Sequence, residues 1–471
     1  MGNAELVIEW GNLDRLFQSM QKVDAQSVTI SDYFGRQVCS KAGFDYPACA
    51  LSPIANQLDT LDGYFVNMRK LFQERWDGMI AAIAVTAKDV DSTDNAINFD
   101  FQHYLGDMPA PAQVFPPLSV DYESFALQDP ADDLKEPSAG EDRQKHDKDW
   151  TDVSSGYDEC RDTINSAIDR INSLGAPGVR LQRLSEKSLQ EHIVFPLSGN
   201  YRKIQGNAEA CGFIEDAMWT WGGNFSALSG KLVLAMRGDV QLALFAHLNL
   251  YNVVMKSVGT CVQGGSVVFD GIASMSEKIA VAVEKALVVM GKTLLRVARK
   301  LASRVLGLFG WMMLAKDLLT QGISAVTDIV DDVRACIEII DACFDLVDSI
   351  KAWAAAQAAA LDAFKGIVDA VTQLPMATVG GGLGALGTVD LPTFETKLGE
   401  ITYDFEGDPV ATGGLDDELE DLGEAYPEVP DDGGDNGDDG GDSGDDDSGD
   451  RLMAPGPVGE PSEFSQGVVS A

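Results

Sequence analysis

The chain has 471 residues, 45% of them hydrophobic, and a formal net charge of −39. That length allows two to four domains, and that apolar content builds a real core, which excludes a wholly disordered protein. So acidic a balance excludes general nucleic-acid binding, which needs a basic surface, and opposes docking on an anionic membrane except through a local basic patch.

In chain order, the opening residues "MGNAELVIEW" lack the basic start and apolar core of a secretory signal peptide. Leu6, Trp10, Leu13, Phe17 and Met20 then step by four and three, which predicts a short helix. A polar stretch with Gly43 and Pro47 follows, and Cys39 and Cys49 flank it closely enough to form a small disulfide. The remaining cysteines read as small unpaired hydrophobes, because the chain has no CxxC pair and the spacing of a zinc cluster is missing. Ile54, Leu58, Leu61, Phe65, Met68, Phe72 and Trp76 resume the helical rhythm, and Ile83 and Val90 extend it. The expectation is a helical hairpin domain over 1–105. Prolines 109, 111, 116, 117, 130 and 137 among acidic residues make 106–150 a linker.

A second helical region is predicted over 151–372. It holds a helix near 157–174, then a seam of Cys211, Ile214, Met218, Trp221, Phe225, Leu228 and Leu232. After Gly238 a further seam carries Leu244, Leu248, Tyr251, Met255, Val258 and Val262. Met236, Arg237 and Gly238 between these runs read as the bend of a hairpin, with glycine free to adopt a backbone angle that strains a larger residue. Val283, Leu287, Met290, Leu294, Val297 and Leu301 form another seam, and Leu319, Ile323, Val326, Val330, Val333, Ile337, Ile340, Phe344 and Val347 a fourth. Gly307 and Gly310 suit a bend between them. Lys278, Lys285, Lys292, Arg296, Arg299, Lys300 and Arg304 make a basic stripe on one of these helices, and eight acids lie in 317–350 on the next. The two helices are expected to pack antiparallel, basic flank to acidic flank, with the stripe available to a partner or, secondarily, to a membrane surface. Residues 373–471, with "GGGLGALG" and a tract at 431–450 of ten Asp and seven Gly, read as a disordered acidic tail. The fold class is therefore all-α: long antiparallel helical hairpins or a bundle, with that tail.

Little in the sequence resembles catalytic chemistry. Gly382, Gly384 and Gly387 match GxGxxG without the strand before and helix after that a dinucleotide site needs. The four histidines, His103, His146, His192 and His247, show no metal-ligand spacing. No catalytic residue, cofactor or metal is expected.

The stretch "EHIVFPLSGNYRKIQGNAEACGFIEDAMWTWGGNFSALSGKLVLAMRGDVQLALFAHL", followed by "GLFGWMMLAKDLL", resembles the WXG-type helical hairpin proteins of actinobacterial type VII (ESX) secretion, in a degenerate tandem version. Met236-Arg237-Gly238 stands where that family has Trp-x-Gly, so only the glycine is kept, and no tyrosine is followed four residues later by an acid, the family's export signal. The resemblance implies a non-enzymatic secreted substrate or a companion of one, leaving the cell without a signal peptide or otherwise cytoplasmic. Its partners would be secretion machinery or another helical-hairpin protein, with oligomers possible and no nucleic acid. The alternatives are a trafficking or adaptor module of a polymorphic toxin system and a membrane-acting amphipathic helical protein.

Overall fold

The computed structural model describes residues 7–94, 124–173, 183, 186–305, 327–366, 371 and 414–426. The expected bend at Gly307 and Gly310, the GxGxxG stretch and the Asp/Gly tract lie outside those residues. The architecture is all-α. Helix α1 spans Trp10–Tyr33 and α2 spans Ser52–Asp94. Helix α3 covers Trp150–Ser173, α4 covers Tyr201–Ala235 and α5 covers Asp239–Val305. Helices α6 (Thr327–Asp345), α7 (Val347–Leu361) and α8 (Leu415–Ala425) follow, and a four-residue helix, Phe195–Ser198, precedes α4. The strands among the described residues are a two-residue pair, β1 (Val7–Ile8) and β2 (Met236–Arg237), paired antiparallel with Ile8 opposite Met236.

Helix α5 is the spine. Its 67 residues rise about 100 Å at 1.5 Å each, and its first half forms an antiparallel hairpin with α4. Residues at similar separations from Gly238 face each other: Thr260 donates to Glu215 at 3.0 Å, and a Cβ on Gly222 would stand 3.1 Å from the carbonyl of Asn252. Gly222 and Gly259 allow this close approach, since a Cβ on Gly259 would lie 2.8 Å from that of Met218. The seams read from the sequence are buried: Leu232, Leu244, Leu248, Met255 and Val262 on the hairpin, and Val283, Leu287, Met290, Leu294 and Val297 farther along α5. The second half of α5 carries α3, α6 and α8.

The fourth seam differs from expectation. On α6 Cys336, Ile339 and Cys343 are buried, and Leu346 just after it, while Ile337 is exposed. The apolar arc of this helix is broad enough for two heptad frames one residue apart, and the frame holding the small cysteines sits closest to α5, with the Cys336 thiol 3.8 Å from the Met290 carbonyl.

The described parts of 1–105 and 151–372, expected as two domains, lie in one compact unit. The cause is aromatic. Phe72 and Trp76 of α2 meet Trp221, Phe225 and Tyr251 of the α4–α5 hairpin, with ring centroids 4.8–6.0 Å apart. The two indoles donate to carbonyls one turn apart on α1, Trp76 to Met20 and Trp221 to Val23, each at 2.9 Å. Four helices thus share one core, and none of these faces is complete alone.

The described part of the expected linker, residues 124–149, is a strap seated on the helices. Pro130 opens a short 3-10 turn, Pro130–Asp132, and the strap's polar groups are met by helix side chains. Phe125 N–H donates to Ser19 Oγ, Gln128 N–H to Asn224 Oδ1, and Tyr33 donates to the Lys135 carbonyl. Ser138 N–H reaches Glu209, and the Gln205 side-chain amide accepts from Glu141 N–H and donates to the Glu141 carbonyl. The strap therefore runs from near the hairpin bend towards the middle of α5. Residues 106–123 lie outside the description.

Part of the expected disordered tail is also helical. Helix α8 buries Leu415, Leu419 and Leu422, and Lys278 of α5 pairs with its Asp416 at 3.2 Å.

Candidate functional site

The hairpin bend is a tight structure. Met236 and Arg237 are extended, and Gly238 has φ +122°, a region that L side chains rarely adopt. The N-terminus locks the bend from outside: Glu9 N–H donates to the Ala235 carbonyl at 2.8 Å and Asn12 Nδ2 to the Leu234 carbonyl at 2.9 Å. Met236 is buried and Arg237 exposed, while the side chain of Asp239 lies outside the description. Beside the bend, Val233 and Leu234 on α4 and Leu242 and Phe245 on α5 are 44–62% exposed, a concentration of large apolar side chains in water.

The basic stripe is partly engaged. Lys278 pairs with Asp416 of α8, and Lys292 with Asp149 of the strap at 2.7 Å. Its acidic partners thus include segments far outside 317–350. Lys285 and Arg296 are exposed, and the side chains of Arg299, Lys300 and Arg304 lie outside the description. No described helix is long and apolar enough to cross a membrane.

The Cys39–Cys49 disulfide is not present; both are buried free thiols. They face different neighbours. Cys39 closes a π-helical turn after α1 and lies in the electrostatic reach of Cys211 on α4, whereas the Cys49 thiol faces the Phe195 carbonyl at 3.9 Å. Burial pushes both thiols above the usual cysteine range, so neither is a ready thiolate. Cys261 is raised to about 11 and Cys343 to about 12 by the same cause.

Sequence reasoning missed one constellation, because its members are far apart in the chain. Where the strap meets the hairpin, His146 and Asp142 of the strap come together with Glu277 and Glu284 of α5 and with Tyr201 and Arg202 at the start of α4. Glu277 and Glu284 are two helical turns apart, so α5 presents both on one face. Both are buried, Glu277 completely. The His146 imidazole is held from behind by Glu284, whose Oε2 lies 2.6 Å from Nδ1. That fixes Nε2 to face Glu277 Oε1 at 3.6 Å, Asp142 Oδ1 at 3.8 Å and the Tyr201 hydroxyl at 3.2 Å. Arg202 grips Asp142 through two nitrogens, Nε at 2.9 Å and Nη2 at 2.6 Å, and Tyr201 also donates to it. That grip holds the Asp142 carboxyl below the usual range, while burial raises Glu284, opposed by His146. Burial, reinforced by Asp142, keeps the Tyr201 phenol protonated.

Glu277 anchors the strap: its Oε1 accepts the backbone N–H of Arg143 at 2.6 Å and of Gln144 at 2.7 Å. Its other oxygen, Oε2, is buried with no hydrogen-bond partner among the described residues. One ligand atom each from Asp142, His146 and Glu277 lie within 4.8 Å of one another, the donor set of a cation site. A polar cleft of about 630 Å³ adjoins it, lined by Gly140, Arg143, Glu209, Gln263 and Asp270 among others. The remaining described histidines are isolated: His192 lies on a π-helical turn, and His247 bonds only its own helix through the Ala243 carbonyl.

No family model matches the chain, and no curated protein and no solved structure matches it either.

Proposed function

We propose that this protein is non-enzymatic and works by presenting helical faces to another protein, in the setting of type VII secretion, as an exported substrate or the companion of one. The observation that carries the reading is the α4–α5 hairpin, bent at Gly238, with Val233, Leu234, Leu242 and Phe245 exposed on both limbs beside the bend. Large apolar side chains gathered at one end of a hairpin suit a protein contact, and the partner would be a secretion component or a second helical-hairpin protein. The glycine at the bend fits the same reading, since it is the residue the chain shares with the Trp-x-Gly bend of those families.

The test compares culture filtrates of a wild-type strain and one lacking the secretion ATPase, each carrying this chain or its Leu242→Asp, Phe245→Asp form. Export that needs both the ATPase and the apolar pair is the expected result. Equal extracellular amounts with and without the ATPase would overturn the secretion reading, and unchanged export of the double variant would overturn the role of the hairpin end.

A further inference from the structure

We propose that Asp142, His146 and Glu277 bind a divalent transition-metal ion, Zn²⁺ in the first instance, which clamps the strap to the hairpin. Three observations converge. The first is orientation: a carboxylate behind Nδ1 is the arrangement that fixes a histidine's tautomer and aims Nε2 at a metal, and Glu284 stands there at 2.6 Å. The second is spacing. Two ligands of a tetrahedral ion at about 2.0–2.1 Å stand roughly 3.3 Å apart, and Nε2 is 3.6 Å from Glu277 Oε1 and 3.8 Å from Asp142 Oδ1. Both are within about half an ångström of that spacing, and all three residues offer ligand atoms within 4.8 Å of one another. The third is the unpartnered oxygen of the fully buried Glu277. A carboxylate's two oxygens sit side by side, so this orphan borders the same space as Oε1, and an unsatisfied buried acceptor is costly.

Charge points the same way. Asp142, Glu277 and Glu284 are three carboxylates, and Arg202 is committed to Asp142 while Arg143 turns away to Asp270. Three carboxylates thus face one committed guanidinium, an excess of acidic groups that a divalent cation would offset. Tyr201 is already engaged as a donor to Asp142, which leaves the fourth position to water.

The ion would tie residues of the strap to a residue of α5, which makes its role the positioning of the strap rather than chemistry on a substrate. The inference is independent of the secretion reading.

The experiment uses the full chain, stripped with chelator and titrated with Zn²⁺ by calorimetry, and with Co²⁺ as a visible probe. About one equivalent should bind, with Co²⁺ showing the d–d absorption of a nitrogen–oxygen site, and Zn²⁺ should raise the melting temperature. His146→Ala should abolish binding. Glu277→Gln, which keeps the amide contacts and the shape, should also lose it, so the inference stays testable if the histidine variant folds poorly. Glu284→Gln should weaken affinity by about 10–100-fold. Absence of stoichiometric uptake, or equal affinity in the wild type and Glu277→Gln, would overturn the site.

Discussion

Replacing Gly238 by alanine tests the logic of the hairpin most directly. Its φ of +122° lies well beyond the left-handed helical region near +57°, so asparagine should be no better tolerated than alanine. Forcing a side chain into such a region costs about 1–3 kcal/mol. Alanine also stiffens the unfolded chain, which returns about 0.4–1 kcal/mol. The net expectation for Gly238→Ala is a destabilisation of about 1–2 kcal/mol. Gly230, eight residues earlier on α4, supplies the opposite sign: a Cβ there meets nothing within 4 Å, so Gly230→Ala should stabilise the helix by about 0.5–1 kcal/mol. Urea unfolding followed by far-ultraviolet circular dichroism would measure both, with an unchanged slope against denaturant confirming that the folded state is intact. The strain is local, so hydrogen exchange of the Glu9 amide, bonded to the Ala235 carbonyl, should speed up in Gly238→Ala alone. Equal or greater stability of Gly238→Ala than wild type would refute the reasoning.

Trp221→Phe should lower stability by about 2 kcal/mol, roughly half from the lost bond to the Val23 carbonyl and half from the vacated indole volume, read by the same unfolding assay. Asp24→Asn should stabilise the protein near neutral pH. Burial, then the neighbouring Asp77, raises the Asp24 carboxyl, so its stabilising contribution is full below about pH 3.8 and is lost as pH rises through the raised value; asparagine escapes that loss. The gain should stay below about 1 kcal/mol, since the group is partly exposed, and should vanish in melting curves taken below pH 3.8. Leu419→Asp should undock α8, because a helix of 11 residues is marginal without its apolar seat; amide exchange over 415–425 should then become fast while α4 and α5 stay protected.

Most of the fold was legible because it rests on long helices with one-sided apolar faces. Leu13, Phe17 and Met20, Ile54 to Trp76, and the two hairpin seams are all buried as the periodicity requires. Periodicity names the buried face but not the neighbour it meets. That Phe72 would face Trp221 and Trp76 face Phe225, rather than a helix of their own region, depends on where α2 lies relative to α4, which no local pattern encodes. The strap was invisible for a related reason: proline and acidic composition describe a free linker and a seated segment equally well, and only the tertiary hydrogen bonds donated by Tyr33 and Asn224 and accepted by Glu209 separate them. The histidine cluster was missed because His146 and Glu277 are 131 residues apart, beyond any ligand-spacing rule.

The same geometry explains how a chain of charge −39 tolerates a basic stretch on its longest helix. Lys278 and Lys292 are about four turns apart on α5, and each meets a carboxylate from a different distant segment, Asp416 of α8 and Asp149 of the strap. Both pairs are partly exposed, so each contributes at most about 1 kcal/mol, less than burial of a single leucine. Leu415, Leu419 and Leu422 must therefore hold α8 in place, and Trp150 and Val153 the start of α3, while the charges select where along α5 each segment settles. This ordering bears on the membrane-acting alternative. As long as α8 is docked, Lys278 is committed to Asp416, and an anionic surface would have to displace an apolar contact as well as a salt bridge. Leu419→Asp removes the apolar part and leaves the salt bridge to be screened. If the stripe has any affinity for anionic vesicles, it should emerge in that variant and in no form that keeps α8 seated.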